Sequence, residues 1–498
     1  MGLLGILVSL ALLMWFAFRG WSVLLLAPAA AMVAAAFAGQ PLLASWTQIF
    51  MPSAADFLAH FFPLFLLGAL FGKLMNDSGS VTAIAGCMTE RLGKEHAILA
   101  VVLAGALVTY GGVSLFVAFF VLVPMAQALF RAADIPRRLM PPAIILGTST
   151  FTMTALPGTP AIQNAIPMPF FGTTPFAAPG LGIVAAAVML GVGLWWLWRA
   201  EASARRAGEG YGGTTAIAGN VPPDAATDVG QMNDGPMDSE PARARVTTAR
   251  EFDPAEMRYG HRSDAPSPVL RAALPLVVVI LVNLIMSMIV LPRLNLSFLA
   301  EDHWGGTSLS AVAGVWSVAV ALAAAILALV LVNRSRLPAL RESMDAGANA
   351  SVLPALSIAS LVGFGAVVAS LPAFTAVRDW VLTIGGGPLV SLALATNILS
   401  ALTGSASGGL TIALDALGGT YMTMASQHGI DPALLHRVAV LGSGTLDILP
   451  HNGAVVSLLA LCGTTHRDSY GSIVMVGIVS SLLALGVVIL LGSVLGTF

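Results

Sequence analysis

Long apolar segments separated by short polar or glycine-rich connections occupy most of this chain. A helix needs about 20 residues to cross the hydrocarbon core of a bilayer, and many of the segments approach or exceed that length. They are residues 2–18, 22–38, 57–75, 98–130, 141–169 and 181–198 in the first half, and residues 269–291, 309–332, 352–371, 388–425, 434–462 and 473–498 in the second. The pattern predicts an all-α protein that crosses a membrane many times.

The amino-acid composition agrees with this prediction. Of the 498 residues, 57% are hydrophobic and 10% are charged, whereas soluble domains carry about 25% charged residues. Many of the charges lie between residues 200 and 267, a stretch with almost no apolar periodicity. We therefore divide the chain into a first membrane repeat (1–199), a polar linker expected to be disordered (200–267) and a second membrane repeat (268–498).

The two apolar halves carry the same landmarks in the same order. Five short strings recur at a nearly constant separation: 110–114 with 403–407, 135–136 with 430–432, 146–148 with 441–443, 156–158 with 449–451, and 172–174 with 463–465. One such match arises by chance, but five in order indicate a duplicated unit.

The distribution of positive charge predicts how these repeats lie in the membrane, because cytoplasmic loops carry an excess of Lys and Arg. If the N-terminus is outside, the cytoplasmic side receives the linker and most basic residues: Arg19, Lys73, Arg91, Lys94, Arg131, Arg137, Arg138, Arg271, Arg334, Arg336, Arg341 and Arg467. The outer side receives Arg293, Arg378 and Arg437. An odd number of crossings in the first half then inverts the second half, which places both termini outside and the linker in the cytoplasm.

Each repeat contains a long apolar segment that is interrupted by Gly and Ser, at residues 110–114 and 403–409. The interruption is either a kink in a spanning helix or the tip of a re-entrant hairpin. Lys94 and Arg131 flank the first interruption and both count as cytoplasmic, which favours a hairpin. Free N–H groups at a hairpin tip can bind an anion. The candidate substrate-binding residues at the tips are Tyr110, Gly111, Gly112, Ser114, Ser405, Ser407 and Gly408.

Each repeat also contains an apolar segment that is broken by Pro and Gly, around residues 157–160 and 450–453. Non-helical backbone at membrane depth is tolerated where protein buries it or where it lines a wet cavity, and transporters place binding sites at such breaks. The candidate substrate ligands at the breaks are Thr154, Gly158, Thr159, Asn164, Thr445 and Asn452. The candidate proton-coupling residues are Asp447, His451 and Asp415.

The charge pattern also makes a prediction about the substrate. We expect no Lys or Arg in the membrane core, because Arg378 and Arg437 look like the ends of spans. Helix N-termini and hydroxyl groups would then hold an anionic substrate, which favours a small monocarboxylate over a di- or tricarboxylate. Protonation of Asp447 or His451 would adjust the charge of the loaded site before the site moves through the bilayer.

Three strings resemble those of a known family: residues 67–79 (LGALFGKLMNDSG), 405–409 (SASGG) and 449–454 (LPHNGA). Together they are similar to the gluconate permease family of proton symporters, within the ion-transporter superfamily, and especially to its 3-hydroxybutyrate-permease-like branch. Residues 156–160 (LPGTP) differ from the His-Pro-Gly-Pro string of gluconate permeases. The resemblance implies an elevator-type carrier of the bacterial inner membrane, which is a homodimer whose transport domain slides against a fixed scaffold.

The sequence thus predicts an all-α polytopic protein with two inverted repeats, broken helices and re-entrant hairpins. Its predicted function is symport of protons with a small hydroxy-monocarboxylate such as 3-hydroxybutyrate or gluconate. Coupling to Na⁺ is the alternative within transport. An intramembrane hydrolase is disfavoured, because Ser443 and Ser405 lack the Gly-x-Ser-x-Gly spacing of a nucleophile. We expect no metal, cofactor or nucleic acid to bind, so the partners are the carboxylate, the coupling ion, the lipid bilayer and a second copy of the chain.

Overall fold

The helices of the protein follow the apolar segments. The computed structural model describes residues 2–18, 21–113, 115–214, 267–304, 306–375, 386–403, 405–450 and 452–498. The first half contains α1 (Gly2–Phe18), α2 (Val23–Phe37), α3 (Leu42–Asp77), α4 (Ser80–Leu92), α5 (Ala97–Tyr110), α6 (Leu115–Ala132), α7 (Met140–Thr148), α8 (Phe151–Thr154), α9 (Ile162–Ala165), α10 (Pro167–Phe171) and α11 (Pro179–Arg206). Two short strands, β1 (Glu209–Gly210) and β2 (Gly213–Thr214), follow α11 and pair antiparallel.

The described part of the second half has eight helices. It contains α12 (Val269–Arg293), α13 (Leu309–Val332), α14 (Leu340–Ser370), α15 (Gly387–Thr403), α16 (Ala406–His428), α17 (Pro432–Thr445), α18 (Gly453–Cys462) and α19 (His466–Leu495). Short 3-10 turns lie at Lys94–His96, Arg137–Leu139, Ser297–Ala300, Asp302–Trp304 and Arg334–Arg336.

Several of these helices can cross a membrane. Among the described residues, six are long and apolar enough, namely α3, α11, α12, α13, α14 and α19. Helices α4 and α5 together make a seventh candidate, which is bent by 106°. The prediction of an all-α, multi-spanning protein is confirmed.

The two Gly/Ser interruptions are the turns of helical hairpins rather than kinks. In the second hairpin, α15 and α16 run back along each other, so that the hydroxyls of Ser391 and Tyr421 hydrogen-bond at 2.8 Å although they lie 30 residues apart. In the first hairpin, a methyl group at Gly105 of α5 would lie 3.4 Å from Leu122 of α6. In each hairpin the second helix therefore runs back along the first.

Corresponding helices of the two halves pack antiparallel. Helix α3 is the third of its half and α14 the third of the other. Ser343, near the start of α14, donates to Asp77 at the end of α3 (2.6 Å), and Gly363, near the end of α14, lies against Phe50 in the first third of α3. The last helices pair in the same way, since the N–H of Gly180 in α11 donates to the carbonyl of Phe498, beyond α19 (2.7 Å). This pairing is compatible with an inverted second repeat, and inversion itself stays a prediction.

Each hairpin packs on the broken helix of its own half through the same contact. A methyl group at Gly147 in α7 would overlap the backbone of Val102 in α5. A methyl group at Gly442 in α17 would overlap Thr396 in α15. Gly147 lies one residue before the end of α7, and Gly442 lies three residues before the end of α17. Close packing through a glycine therefore recurs in the two halves, and the duplication itself stays a prediction.

One of the predicted cytoplasmic cations is buried within the protein. Lys73 is 5% exposed and its ammonium binds Asp77 at 2.9 Å; its side of the membrane stays a prediction. Lys73 and Asp77 are separated by one turn of α3, and Ser343 completes the carboxylate's hydrogen bonds. The charge is buried because it has a partner, which is the usual condition for a charge in a protein interior.

The start of the predicted linker is also ordered. Helix α11 continues to Arg206, and the strand residue Glu209 accepts two hydrogen bonds from Arg138 at 2.7 and 2.8 Å. The backbone N–H of Tyr211 donates to Asp134 at 2.8 Å. Residues 215–266, the rest of that linker, lie outside the described residues.

Loss of the carboxylate at residue 77 is expected to destabilise the fold. Asp77→Asn leaves Lys73 charged and unpaired, which costs about 3–5 kcal/mol of the free energy of unfolding. Thermal or denaturant unfolding of the purified protein in detergent measures this cost, and the double variant Lys73→Met/Asp77→Asn should recover most of it. Asp345→Asn, which removes an exposed partner of Arg341 at 3.8 Å, is the matched control and should change little. Equal stabilities of the Asp77 and Asp345 variants would contradict the prediction.

Candidate functional site

The first break begins where α8 ends at Thr154 and closes where α9 begins at Ile162. Pro157 and Pro160 lack N–H groups, so a regular helix cannot pass through them. Gly158 adopts a positive φ of 78°, which favours glycine. Its N–H donates to the carbonyl of Pro175 at 2.8 Å, and its carbonyl accepts from the side chain of Asn283 in α12 at 3.0 Å. The broken backbone therefore finds its hydrogen bonds outside the helix, as burial requires.

The tip of the first hairpin covers this break. The hydroxyl of Tyr110 donates to the carbonyl of Pro157 at 2.7 Å. Gly112 has a φ of 96°, and a methyl group there would lie 2.9 Å from Pro160. Gly111 packs against Leu276 of α12. Ser114, the fourth predicted residue of this tip, lies outside the described residues.

Asn164 in α9 is fully buried and makes three hydrogen bonds at the first break. Its side-chain nitrogen donates to the carbonyls of Thr159 (3.1 Å) and Pro175 (3.0 Å). Its side-chain oxygen lies 3.2 Å from Nε2 of His436 in α17. Asn164 thus ties the first break to the broken helix of the other half.

The second break lies between Thr445, the last residue of α17, and Gly453, the first of α18. Asn452 caps α18, since its oxygen accepts from the N–H groups of Ala454 (2.8 Å) and Val455 (3.3 Å). Its nitrogen donates to the carboxylate of Asp447 at 3.0 Å. Asp447 is half-buried, and the cap therefore fixes this carboxylate in the break.

The other predicted residues of the second half are placed as follows. The hydroxyl of Thr445 donates to the carbonyl of Leu441 in its own helix (2.8 Å). Ser405 caps α16 by accepting from the N–H of Gly408 at 3.2 Å, and Ser407 lies beside it at 3.3 Å. Asp415 lies on an exposed face of α16. His451 is outside the described residues, and the ring of Pro450 is exposed.

The two broken segments run antiparallel beside each other. His436, near the start of α17, lies 2.6 Å from the hydroxyl of Thr173, just beyond the end of α10. Reciprocally, Arg137, just before α7, donates to the carbonyl of Cys462 at the end of α18 (2.8 Å). Because the start of each segment meets the end of the other, the two breaks fall at the same level.

Direct packing at the centre supports this geometry. A methyl group at Gly444, one residue before the end of α17, would overlap Cγ2 of Thr154, the last residue of α8. The last turns before the two breaks are therefore in contact. Tyr110, Gly158, Thr159 and Asn164 gather at the first break, and Asp447 and Asn452 gather at the second.

Arg437, which the sequence pattern places at the end of a span, is buried inside the protein and 0% exposed. Its guanidinium donates to the carbonyl of Thr154 (3.2 Å) and twice to the carbonyl of Ala177 (2.6 and 3.3 Å). Thr154 ends α8 at the start of the first break, and Ala177 lies in the connection just before α11. The arginine is buried because these non-helical segments supply acceptors that a regular helix would have used itself.

His436, Arg437, Thr173 and Asn283 are functional candidates that sequence reasoning missed. His436 and Arg437 follow Pro432 by one turn, and a basic pair at that position resembles the polar end of a span. The available clue was the apolar sequence that begins only two residues before them, Leu434-Leu435. Thr173 lies in a landmark that was used for the repeat and was not considered as a ligand.

The contact between α8 and α17 can be tested with a glycine pair. Gly444→Ala is expected to destabilise the protein by about 1–3 kcal/mol, because the added methyl group overlaps Thr154 in a close-packed core. Gly419→Ala in α16, where no atom lies within 4 Å of the added group, is the control and should be neutral or slightly stabilising. Unfolding temperatures in detergent measure both, and equal values would refute the contact.

The chain is similar to known transporters. A family model described as CitMHS, citrate transporter, matches residues 10–318, more than half of the chain. The uncharacterized transporter YxjC of Bacillus subtilis (strain 168) is 38% identical over 480 residues, 95% of each protein. The high-affinity gluconate transporter of Escherichia coli (strain K12) is 35% identical over 104 residues, 20% of this chain and 23% of that protein. The crystal structure of the YdaH transporter of Alcanivorax borkumensis aligns over 90% of this chain and 88% of that chain, with 14% identity and a TM-score of 0.44.

The family match and the similarity to YxjC along nearly the whole chain make this protein a secondary transporter and not an enzyme. The match to a gluconate transporter is confined to a fifth of the chain, so the gluconate permease branch stays a prediction. The chain belongs to the CitMHS family of citrate transporters.

Proposed function

We propose that this protein carries a small hydroxy-monocarboxylate, such as 3-hydroxybutyrate or gluconate, together with protons. The observation that carries the proposal is the meeting of the two broken segments, where Asn164 and His436 join the halves by a hydrogen bond. A site built from both halves changes its exposure when one part moves against another, which is the requirement of alternating access.

The choice of a hydroxy acid rests on the relatives and on the groups at the breaks. The family model is that of a citrate transporter and one partial match is a gluconate transporter, and both of those substrates are hydroxy acids. The breaks offer the hydroxyl of Thr159, the amides of Asn164 and Asn452, and the buried guanidinium of Arg437. The buried positive charge of Arg437 supports an anionic substrate.

The proposed arrangement in the membrane retains the two inverted repeats. Both termini lie outside and the linker lies in the cytoplasm of a bacterial cell, with the protein in the inner membrane. The carrier works as a homodimer in which the hairpins and broken helices form the moving domain. The antiparallel packing of α3 with α14 and of α11 with α19 supports the inversion.

Asp447 is the proposed proton-coupling residue. Asn452 holds its carboxylate at 3.0 Å within the second break, where protonation offsets the cost of moving a charge through the bilayer. Asp415 lies on an outer face, so it is the weaker proposal.

Uptake into proteoliposomes tests the coupling. An inwardly directed proton gradient should accelerate uptake of labelled 3-hydroxybutyrate. Asp447→Asn should lower the rate of gradient-driven uptake at least about tenfold, while exchange without a gradient persists. Asp345→Asn is the control and should behave like the unsubstituted protein. Replacement of Na⁺ by choline should have no effect, and a loss of uptake in choline would establish sodium coupling instead.

Ligand-induced thermal stabilisation tests the substrate class. At equal concentration, 3-hydroxybutyrate and gluconate should raise the unfolding temperature of the purified protein, because a ligand that binds the folded state stabilises it. Lactate should have a smaller effect and citrate none. Stabilisation by citrate alone would overturn the monocarboxylate proposal.

A further inference from the structure

His436 and Arg437 are consecutive residues, both fully buried, and both bind the other half of the protein. His436 contacts Asn164 and Thr173, and Arg437 contacts Thr154 and Ala177. Buried ionisable groups in a membrane carrier mark the route of ions or substrate. The hydrogen bonds around this pair determine what each member can do.

The orientation of Asn164 determines which nitrogen of His436 carries hydrogen. The carbonyls of Thr159 and Pro175 only accept hydrogen bonds, so the group between them is the NH₂ of Asn164. The oxygen of Asn164 then faces His436 and also only accepts. Nε2 of His436 must therefore donate.

Nδ1 is consequently the atom at which His436 can gain a proton. In the neutral ring, Nδ1 accepts a hydrogen bond from the hydroxyl of Thr173, 2.6 Å away. In the protonated ring, Nδ1 donates and the same hydroxyl accepts, since a hydroxyl does both. The proton can be gained without breaking any contact between the two halves.

Arg437 contributes a permanent positive charge next to this ring. Its three hydrogen bonds to carbonyls use three of its five N–H groups, which leaves two for another acceptor. No Asp or Glu among the described residues forms an ion pair with it. A buried charge without a counter-ion is costly, and an anion at this position removes that cost.

The surrounding elements add little charge in the part of the chain that the structure describes. Helices α8, α9, α10 and α15 carry no titratable side chain, and α11 carries Arg and Glu only near its far end. Helix α16 carries Asp415 and His428, which are exposed, and Tyr421, which binds Ser391. Helix α19 has its titratable residues, His466 to Tyr470, at its start, while its other end lies near Gly180 at the start of α11. Tyr110 is close enough to interact electrostatically with Arg437.

We infer that His436 and Arg437 form the anion-recognition pair of the carrier. Arg437 supplies one fixed positive charge for the substrate carboxylate, and His436 takes up a proton at Nδ1 when that carboxylate binds. Without an anion, two adjacent buried positive charges repel each other, and the carboxylate removes this repulsion. The inference rests on the proposed transport of a carboxylate and assigns to its binding step a proton site distinct from Asp447.

Equilibrium binding at different pH values tests the role of His436. The dissociation constant of 3-hydroxybutyrate is measured on detergent-purified protein between pH 5.5 and 8, where the ligand stays ionised. Binding should be tightest at low pH, and the dissociation constant should rise with pH, approaching about tenfold per unit where one proton is taken up on binding. His436→Gln keeps a donor for Asn164 but cannot be protonated, so its dissociation constant should not vary with pH.

His428→Gln is the matched control. His428 is exposed and its ring hydrogen-bonds the carbonyl of Met424, so this variant should keep the pH dependence. The inference is overturned if His436→Gln retains the dependence, or if the unsubstituted protein binds equally well at every pH.

Variants of Arg437 test the fixed charge. Arg437→Lys keeps the charge and should weaken binding by less than about tenfold, whereas Arg437→Met should weaken it by about 30-fold or more. The ligand-free unfolding temperature identifies variants that fail to fold. If Arg437→Met fails to fold, the pH dependence of the dissociation constant of His436→Gln tests the inference instead. Equal binding by folded Arg437→Met and Arg437→Lys would overturn the inference.

The same measurements separate this inference from the proposed function. If the unsubstituted protein binds 3-hydroxybutyrate and Asp447→Asn still responds to the proton gradient, the coupling assignment fails while the pair stands. If the unsubstituted protein binds no carboxylate from the panel, the proposed function fails and the inference fails with it.

Discussion

Hydrogen bonding of unwound backbone in an apolar environment is the constraint on which this structure depends. Inside a bilayer no water satisfies a free N–H or C=O group, so a helix may break only where other protein groups replace the lost hydrogen bonds. The first break meets this condition with side chains from other elements: Asn283 binds Gly158, Tyr110 binds Pro157, and Arg437 binds Thr154. Those side chains also fix the position of the break relative to the second half.

Small residues allow the hairpins and the two broken helices to pack closely. Gly147 and Gly442 let each hairpin approach its own broken helix, and Gly444 lets α17 approach α8. Gly182 lets the side chain of Arg437 approach α11, because a methyl group there would lie 3.3 Å from Nε of that arginine. In a membrane, helix association depends on close packing and on interhelical hydrogen bonds. The glycines and the buried polar groups therefore act together at one place.

The buried charges lie at two interfaces that differ in charge balance. Lys73 and Asp77 neutralise each other within α3, and Ser343 of α14 completes the carboxylate's hydrogen bonds. This interface has its charges in balance and needs no ligand. At the crossing of the broken segments, Arg437 binds carbonyl oxygens and has no acidic partner among the described residues. The two interfaces therefore differ in whether protein groups balance the buried charge.

Apolar segment length and the recurrence of Pro and Gly indicated most of the long helices, the positions of the hairpins and both breaks, because those features depend on local backbone chemistry. They did not indicate α4 (Ser80–Leu92) or the first part of α3, which begins at Leu42 and not at residue 57. The same reasoning placed Asn164, Asp447 and Asn452 at the breaks. It did not predict that Lys73 and Arg437 are buried, since burial of a charge depends on a partner brought in by the fold, here Asp77 and the carbonyls of Thr154 and Ala177. It also missed His436, whose contacts lie more than 260 residues away in sequence. The sequence by itself determined where the helices must break, and the tertiary structure alone decided which distant side chains satisfy those breaks.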